Sequence, residues 1–490
     1  MSADVPRTNY PHLRQDFAAS LVVFLVALPL CVGVAVASGV PAELGLVTGI
    51  VGGIVTGMMR GSSLQVSGPA AGMTVLVLEA VTEFGLPVLG AIVLAAGVLQ
   101  ILLGVLRLGR CFRAVSVSVV EGMLAGIGLI LIAGQLYAMA GFEAPADGIG
   151  KIIGLPGALW RTAGNTEALA SIALGAATVA VLVLWKHLPR RIRTVPGPLA
   201  AVGLATLTVV ATGLPVATVE VRGLLDSVQP PSAEAFGELV GLGAIGTVLA
   251  FTLIASAESL FGAAAVDRLH DGPRTDYDKE LVAQGTGNAL CGVLGALPMT
   301  AVIVRSAANV QAGARTKASR VLHGVWLLLF AALLPAALAY IPVPALAAVL
   351  VHAGFKLVPA RELATLWRRQ RGEALVLAVT ALAIVVIGMF EGVIAGLALA
   401  VAKTAWEASH LRLDVDERGT GPVRVRLRGN ATFLRLPNLL DSLEALPPDR
   451  AVELDLTEVH HLDHACRTAL ETWSERHSAT VTRRMRALSG

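Results

Sequence analysis

The chain has 490 residues, 55% of them hydrophobic and only 15% charged, with 51 glycines and a mean hydropathy of +0.72. Those values lie outside the soluble globular range and exclude a protein whose bulk sits in water. A net charge of +3 is too small to imply a nucleic-acid partner, so the basic residues are read for topology instead.

The N-terminal stretch MSADVPRTNYPHLRQD is polar, and no small-residue cleavage site closes the first apolar run, which is therefore expected to stay as a helix. A membrane helix needs about 20 largely apolar residues. Seven such segments follow, at 16–38, 43–59, 65–83, 86–106, 114–136, 167–185 and 195–213. After a polar loop come seven more, at 239–264, 279–297, 300–312, 318–340, 343–359, 372–389 and 391–410. The reading is thus a short extension (1–15), a first membrane half (16–213) and a second (239–410) in an all-α polytopic membrane protein. Pro29 is expected to kink the first helix.

Counting from a cytoplasmic N-terminus places Arg107, Arg110 and Arg113, then Lys186, Arg190, Arg191 and Arg193, on one side. Arg315, Lys317 and Arg320, and then Lys356, Arg361, Arg368, Arg369 and Arg371, fall there too. The opposite loops hold little beyond Lys151, Arg161 and Arg222, as the positive-inside rule requires. Both ends are therefore expected in the cytoplasm, with the chain in the inner membrane. An odd number of segments per half makes the second half enter from the other side, the arrangement of an inverted repeat.

The third segment of each half is short and opens on a breaker: QVSGPAAGMTVLVLEA, and GALPMTAVIVRSAANVQAG. If these meet near the midplane, two helix N-termini with free N–H groups and positive dipole ends converge on one point, which suits an anion. The expected contacts are Ser67, Gly68, Pro69, Ala70, Ala71 and Gly72 from the first, and Thr300, Ala301, Val302 and Ile303, following Pro298 and Met299, from the second. Arg305, one turn below, is costly in an apolar segment unless paired or facing water, and would draw the anion further; Ser306 could add a hydrogen bond. The competing reading has Arg305 snorkel to the headgroups. Glu258, inside the eighth segment, is expected to couple transport by taking a proton or Na+, the plainer alternative being a structural partner for Arg305.

Glu79 and Glu121 lie near helix ends and read as structural. Cys31, Cys111, Cys291 and Cys466 show no disulfide or metal spacing, and His460, His461 and His464 read as surface residues. No metal beyond Na+ at Glu258 and no other cofactor is expected. After His410 the apolar runs stop. VRVRLRG and AVELDLT pattern as strands, FLRLPNLLDSLEAL and HACRTALETWSERH as helices, so 411–490 reads as a small α/β domain.

Through FLVALPLCVGVAVASG, LQVSGPAAGMTV, SAESLFGAAAVDR and LPMTAVIVRSAANVQAGARTK the chain resembles the sulfate permease (SulP) family of anion transporters. Its ELDLTEVHHLDHACRTAL resembles the STAS domain that follows the membrane region there. The resemblance implies fourteen transmembrane segments in two inverted repeats, with a core (segments one to four and eight to eleven) moving elevator-like against a gate (five to seven and twelve to fourteen). It implies a homodimer, with substrate between segments one, three, eight and ten. Glu258 falls where sodium-dependent bicarbonate members carry a cation-binding carboxylate. A hydroxyl found one turn later in those members is Gly262 here, and Ala70 replaces a threonine. Leu30 and Val34 stand where animal relatives have a glutamine and an aromatic, which leaves a smaller, less polar pocket fit for a compact anion.

The membrane region is most similar to bacterial members that carry a carbonic anhydrase domain after the tail. That similarity favours bicarbonate and implies a cytoplasmic carbonic anhydrase or regulatory protein as partner. In the tail, Asp463 to Cys466 replace a phosphorylatable serine, so a phosphoserine switch is not expected. Sulfate or another oxyanion, or anion exchange, is the alternative, ahead of an anion channel or a nucleobase permease. No enzyme is expected, because no nucleophile, base and orienting group recur together.

Overall fold

In the computed structural model the described residues are 12–110, 116–145, 147–189, 195–221, 223–416, 421–447, 450–477 and 480–482. Cys111, Arg113, Arg190, Arg191, Arg193, Arg222 and the last eight residues, to which expectations were attached above, lie outside them. The chain divides into two compact units, Met1–Gly396 and Leu397–Gly490. The expected boundary at 411 falls inside the second, which takes in the end of the last long helix.

Long apolar runs, rich in valine yet able to satisfy their backbone in lipid as helices, give the first unit its helices. They are α1 Leu13–Ala37, α2 Ala42–Val51 (prolonged by a wider turn, Gly52–Thr56), α3 Thr74–Phe84, α4 Leu86–Val105, α5 Val117–Met139, α6 Gly148–Thr162, α7 Thr166–Trp185 and α8 Gly197–Thr212. Two short helices, α9 Leu224–Ser227 and α10 Ala233–Glu238, lead to α11 Leu242–Val266, α12 Tyr277–Val293 and α13 Ile303–Gln311. Then come α14 Ala318–Leu333, α15 Val343–Leu357, α16 Ala360–Arg369, α17 Arg371–Ile387 and α18 Met389–Ala408. Two two-residue strands interrupt the series, β1 Ser67–Gly68 and β2 Thr300–Ala301.

Six stretches, Leu13–Ala37, Leu86–Val105, Val117–Met139, Thr166–Trp185, Leu242–Val266 and Val343–Arg369, are long and apolar enough to cross a bilayer. The chain is a multi-pass membrane protein. Each of the fourteen apolar segments holds one helix, α1 running on through Pro29, with two departures. The helix in 318–340 stops at Leu333, where Pro335 opens a 3₁₀ turn. α6 and α16 were not anticipated, because the search for long apolar runs passes over helices interrupted by Lys151 and Pro156 or loaded with arginine.

The tightest pairing is α4 against α12, and glycine is its cause. Gly90, Gly97 and Gly104 recur every seven residues on α4; Gly90 meets Gly292 and Gly97 meets Gly285 of α12 backbone to backbone, while Gly104 lies against the backbone of Asp278 and Val282, and a Cβ on Gly285 would sit 2.7 Å from the Gly97 carbonyl oxygen. Small-residue stripes are how membrane helices approach closely. α5 packs along α15 and α17, and α1 runs beside α14, α2 and α13.

The second unit is the expected α/β domain. Its sheet, ordered β3 (Leu411–Asp416), β4 (Val423–Ala431), β5 (Val452–Leu462), β6 (Thr480–Thr482), pairs β3 with β4 antiparallel and the rest parallel. Over the first six residues of β4, from Val423 to Arg428, buried and exposed residues alternate. Val423, Val425 and Leu427 point into a core with Leu443 of α19 (Leu436–Glu444) and Leu470 and Trp473 of α20 (His464–Arg476). Arg424, Arg426 and Arg428 point out, to Glu453, Asp455 and Glu458. Asp463 caps α20 through the Cys466 N–H, and burial together with that carboxylate pushes the Cys466 thiol up to about 12.

Candidate functional site

β1 and β2 lie side by side, antiparallel, with Ser67 opposite Ala301 and Gly68 opposite Thr300. The Val302 N–H continues the ladder to the Val66 carbonyl at 2.9 Å. Each strand feeds a half-length helix, β1 through a 3₁₀ turn at Ala71–Met73 into α3 and β2 into α13. The two interruptions read from the sequence are therefore one structural unit, buried throughout at Ser67, Gly68, Thr300 and Ala301.

Arg305 sits in the first turn of α13, at the join rather than a turn below it. Its side chain is 1% exposed, which excludes snorkelling, and Nη2 donates to the Pro69 carbonyl at 3.1 Å. Nε and Nη1 have no hydrogen-bond partner among the described residues. A buried guanidinium with two idle donors is expensive unless a further acceptor comes to it. Nη1 lies directly over Gly68, where any Cβ would overlap it. Cys31 of α1 lies beside the same guanidinium.

Glu258 faces the join from the other flank. Gly72 leaves just the space its carboxylate fills, since a Cβ there would overlap Oε1, and the Thr300 side chain stands next to it. It makes no ion pair with Arg305 among the described residues. The site therefore has two poles, a guanidinium over Gly68 and a carboxylate over Gly72.

Residues 13–380 match the sulfate permease family. The chain belongs to that family. YvdB of Bacillus subtilis (strain 168), named for sulfate transport, is 29% identical over 405 residues, covering 80% of this permease and 73% of its own length. The bicarbonate transporter BicA of Picosynechococcus is 27% identical over 375 residues, 72% of this chain and 63% of that one. Among solved structures, the transmembrane domain of a cyanobacterial BicA aligns with a TM-score of 0.66 at 23% identity, over 80% of the permease and 98% of that domain. The murine Slc26a9 anion transporter in its inward-facing state aligns with a TM-score of 0.79 at 16% identity, over 97% and 86%. These two share the fold. Family membership makes the chain an anion transporter.

The remaining expected residues of the permease divide by what the structure does with them. The Ser306 hydroxyl donates to the Val302 carbonyl at 2.8 Å and accepts from the Val66 N–H at 2.9 Å, so it is spent stitching α13 to β1. Gly262 packs on β2: a Cβ would stand 3.2 Å from both the Ala301 carbonyl and Gln65 Nε2, leaving little room for the hydroxyl of relatives. Ala70 is buried and Ala71 half-buried, while Ile303 is 43% exposed. Leu30 and Val34 are both buried in α1.

One group escaped the sequence reading: the polar face of α12. Glu280, Gln284 and Asn288 recur every four residues on a helix taken as plain membrane span. Gln284 Nε2 donates to the Ser67 hydroxyl at 2.7 Å and to Glu280. Asn288 bonds both the N–H and the carbonyl of Met299, and Gln100 of α4. Ser259 of α11 adds hydrogen bonds to Ala301 and Gln65. The i, i+4, i+8 spacing of amides in an apolar helix was the available signal. Lys151, read as a loop residue, is instead buried on α6 with its charge near Glu79.

Proposed function

We propose that this permease is a secondary transporter of a small oxyanion, bicarbonate foremost, coupled to Na+ or H+ through Glu258. The observation that carries the reading is Arg305, buried at the β1–β2 join with Nε and Nη1 unpartnered. Two unpartnered N–H donors on one buried cation offer charge-assisted hydrogen bonds to an oxyanion. The anion site comprises Ser67, Gly68, Pro69, Ala70 and Ala71 with Thr300, Ala301, Val302, Ile303 and Arg305, and Ser306 holds its frame.

Supporting the fourteen-span, inverted-repeat architecture is the antiparallel meeting of two equivalent broken segments. The further elements of the reading are a core moving elevator-like against a gate, a homodimer in the inner membrane with both termini cytoplasmic, and a STAS-type tail offered to a cytoplasmic carbonic anhydrase or regulator. Sulfate transport or exchange is the second reading, favoured by relatives named for sulfate at similar identity, such as the sodium-independent sulfate anion transporter of Bos taurus (27%).

Uptake of labelled bicarbonate and sulfate into proteoliposomes under imposed Na+ and proton gradients tests this, comparing wild type with Glu258→Gln. Saturable bicarbonate uptake that follows one gradient in the wild type alone is the expected outcome. Uptake indifferent to both gradients and to the substitution would return Glu258 to a structural role and leave exchange; conductance far above transporter rates would indicate a channel.

A further inference from the structure

We propose that α16 is an in-plane anchor that binds anionic phospholipid headgroups and makes the transport cycle depend on them. The starting point is the order of its ten residues. At 100° per residue, Ala360, Leu363, Ala364, Leu366 and Trp367 fall on one arc, and Arg361, Glu362, Thr365, Arg368 and Arg369 on the other, with no mixing. Leu363 and Leu366 are half-buried, and the helix packs against α17. Ala360, Ala364 and Trp367, the outer part of the apolar arc, stay exposed, Trp367 at 55%.

Charge supplies the second observation. Arg361, Arg368 and Arg369 lie on α16, with Lys356 and Arg371 just beyond its ends; one carboxylate, Glu362, opposes them. None of these five basic side chains has a hydrogen bond or ion pair with another described residue. Bulk water accounts for the cations but leaves Trp367 and the alanines exposed without cause. An apolar neighbour accounts for Trp367 but leaves arginines in hydrocarbon. The headgroup layer satisfies both at once: it accepts a tryptophan ring at the acyl boundary and supplies phosphates to arginine. Phe355, 63% exposed near the end of α15, adds a second aromatic of the kind enriched at that depth.

The other unanticipated helix shows what is particular to α16. α6 also exposes Ile153 and Trp160, but its Lys151 is buried and its Arg161 stacks over Phe142 at 5.2 Å. It has apolar reach without free cations, so lipid depth but no headgroup preference follows. α16 has both, and it joins α15 to α17, each packed along α5. Holding α16 at the headgroups fixes the level of those helices, which is how lipid charge reaches transport.

The test uses the full chain in vesicles of zwitterionic phosphatidylcholine with or without phosphatidylglycerol, with two readouts. Brominated lipids quench tryptophan by contact, and the difference between wild type and Trp367→Phe isolates this ring among the six tryptophans. Trp367 is expected to be quenched, more by brominated phosphatidylglycerol than by brominated phosphatidylcholine. The preference falls in Arg361→Gln/Arg368→Gln/Arg369→Gln, by about fivefold per charge lost. Uptake, whose use rests on the transport reading, is expected to rise severalfold with phosphatidylglycerol in wild type and stay flat in the triple variant, with inorganic phosphate no substitute. An unquenched Trp367, or a headgroup preference unchanged in the triple variant, overturns the proposal. Absent uptake with quenching intact would instead count against the transport reading.

Discussion

The two halves of the join are the same length and pair residue for residue, yet they do opposite work. The β1 side is built from small residues. Gly68 and Gly72 contribute mainly the absence of a Cβ, making room for Arg305 above one and Glu258 above the other. The β2 side supplies function through side chains: Arg305 reaches back to Pro69, and Ser306 ties Val302 to Val66. The lesson is that a symmetric backbone can be divided into a half that yields space and a half that fills it.

Removing the filling group should cost most. Arg305→Gln is expected to lower anion uptake by about 100-fold, the scale of a lost charge-assisted pair in a dry site, and Arg305→Lys should not recover it, because a compact ammonium cannot span from the Pro69 carbonyl to the space over Gly68 as the planar guanidinium does. Near-normal uptake in either variant would break the comparison. Removing the space comes next. Gly68→Ala should cut anion uptake by about tenfold or more, since the guanidinium must move. Gly72→Ala should instead weaken the gradient dependence carried by Glu258. If the two substitutions behave alike in a flux assay, the poles are not separate.

The scaffold holding β2 predicts a smaller effect. Asn288→Ala leaves the N–H and carbonyl of Met299 without their side-chain partner and is expected to cost about 1–3 kcal/mol, read as a lower melting temperature in detergent with anion affinity largely kept. The smallest effect lies in the tail. Burial pushes the Asp463 carboxyl up, but the N–H groups of Cys466 and Phe433 outweigh it and hold the group below its usual range. A depressed folded value stabilises above the unfolded pKa of about 3.9 and is lost as pH falls through the folded one. Asp463→Ala should therefore loosen α20 by about 1 kcal/mol at neutral pH, seen as faster hydrogen exchange, with wild type and variant converging below about pH 4.

Much of this was open to reading in the chain itself. Apolar runs and arginine placement determined a polytopic membrane unit, because lipid admits little else. The paired breakers QVSGPAAG and ALPMTAVIVR marked the join, because a broken helix in lipid must be re-satisfied by something nearby. Val-Arg alternation in β4 marked the tail sheet. What no window of sequence carries is partnership across hundreds of positions. Only the tertiary structure decided that the Ser306 hydroxyl is occupied while Nε and Nη1 of Arg305 are not, that Gly72 is shaped for Glu258, and that Gln284 and Asn288 serve opposite strands. Hydrogen bonds and Cβ clearances depend on atoms brought within a few ångströms by packing, and periodicity along one chain cannot report them.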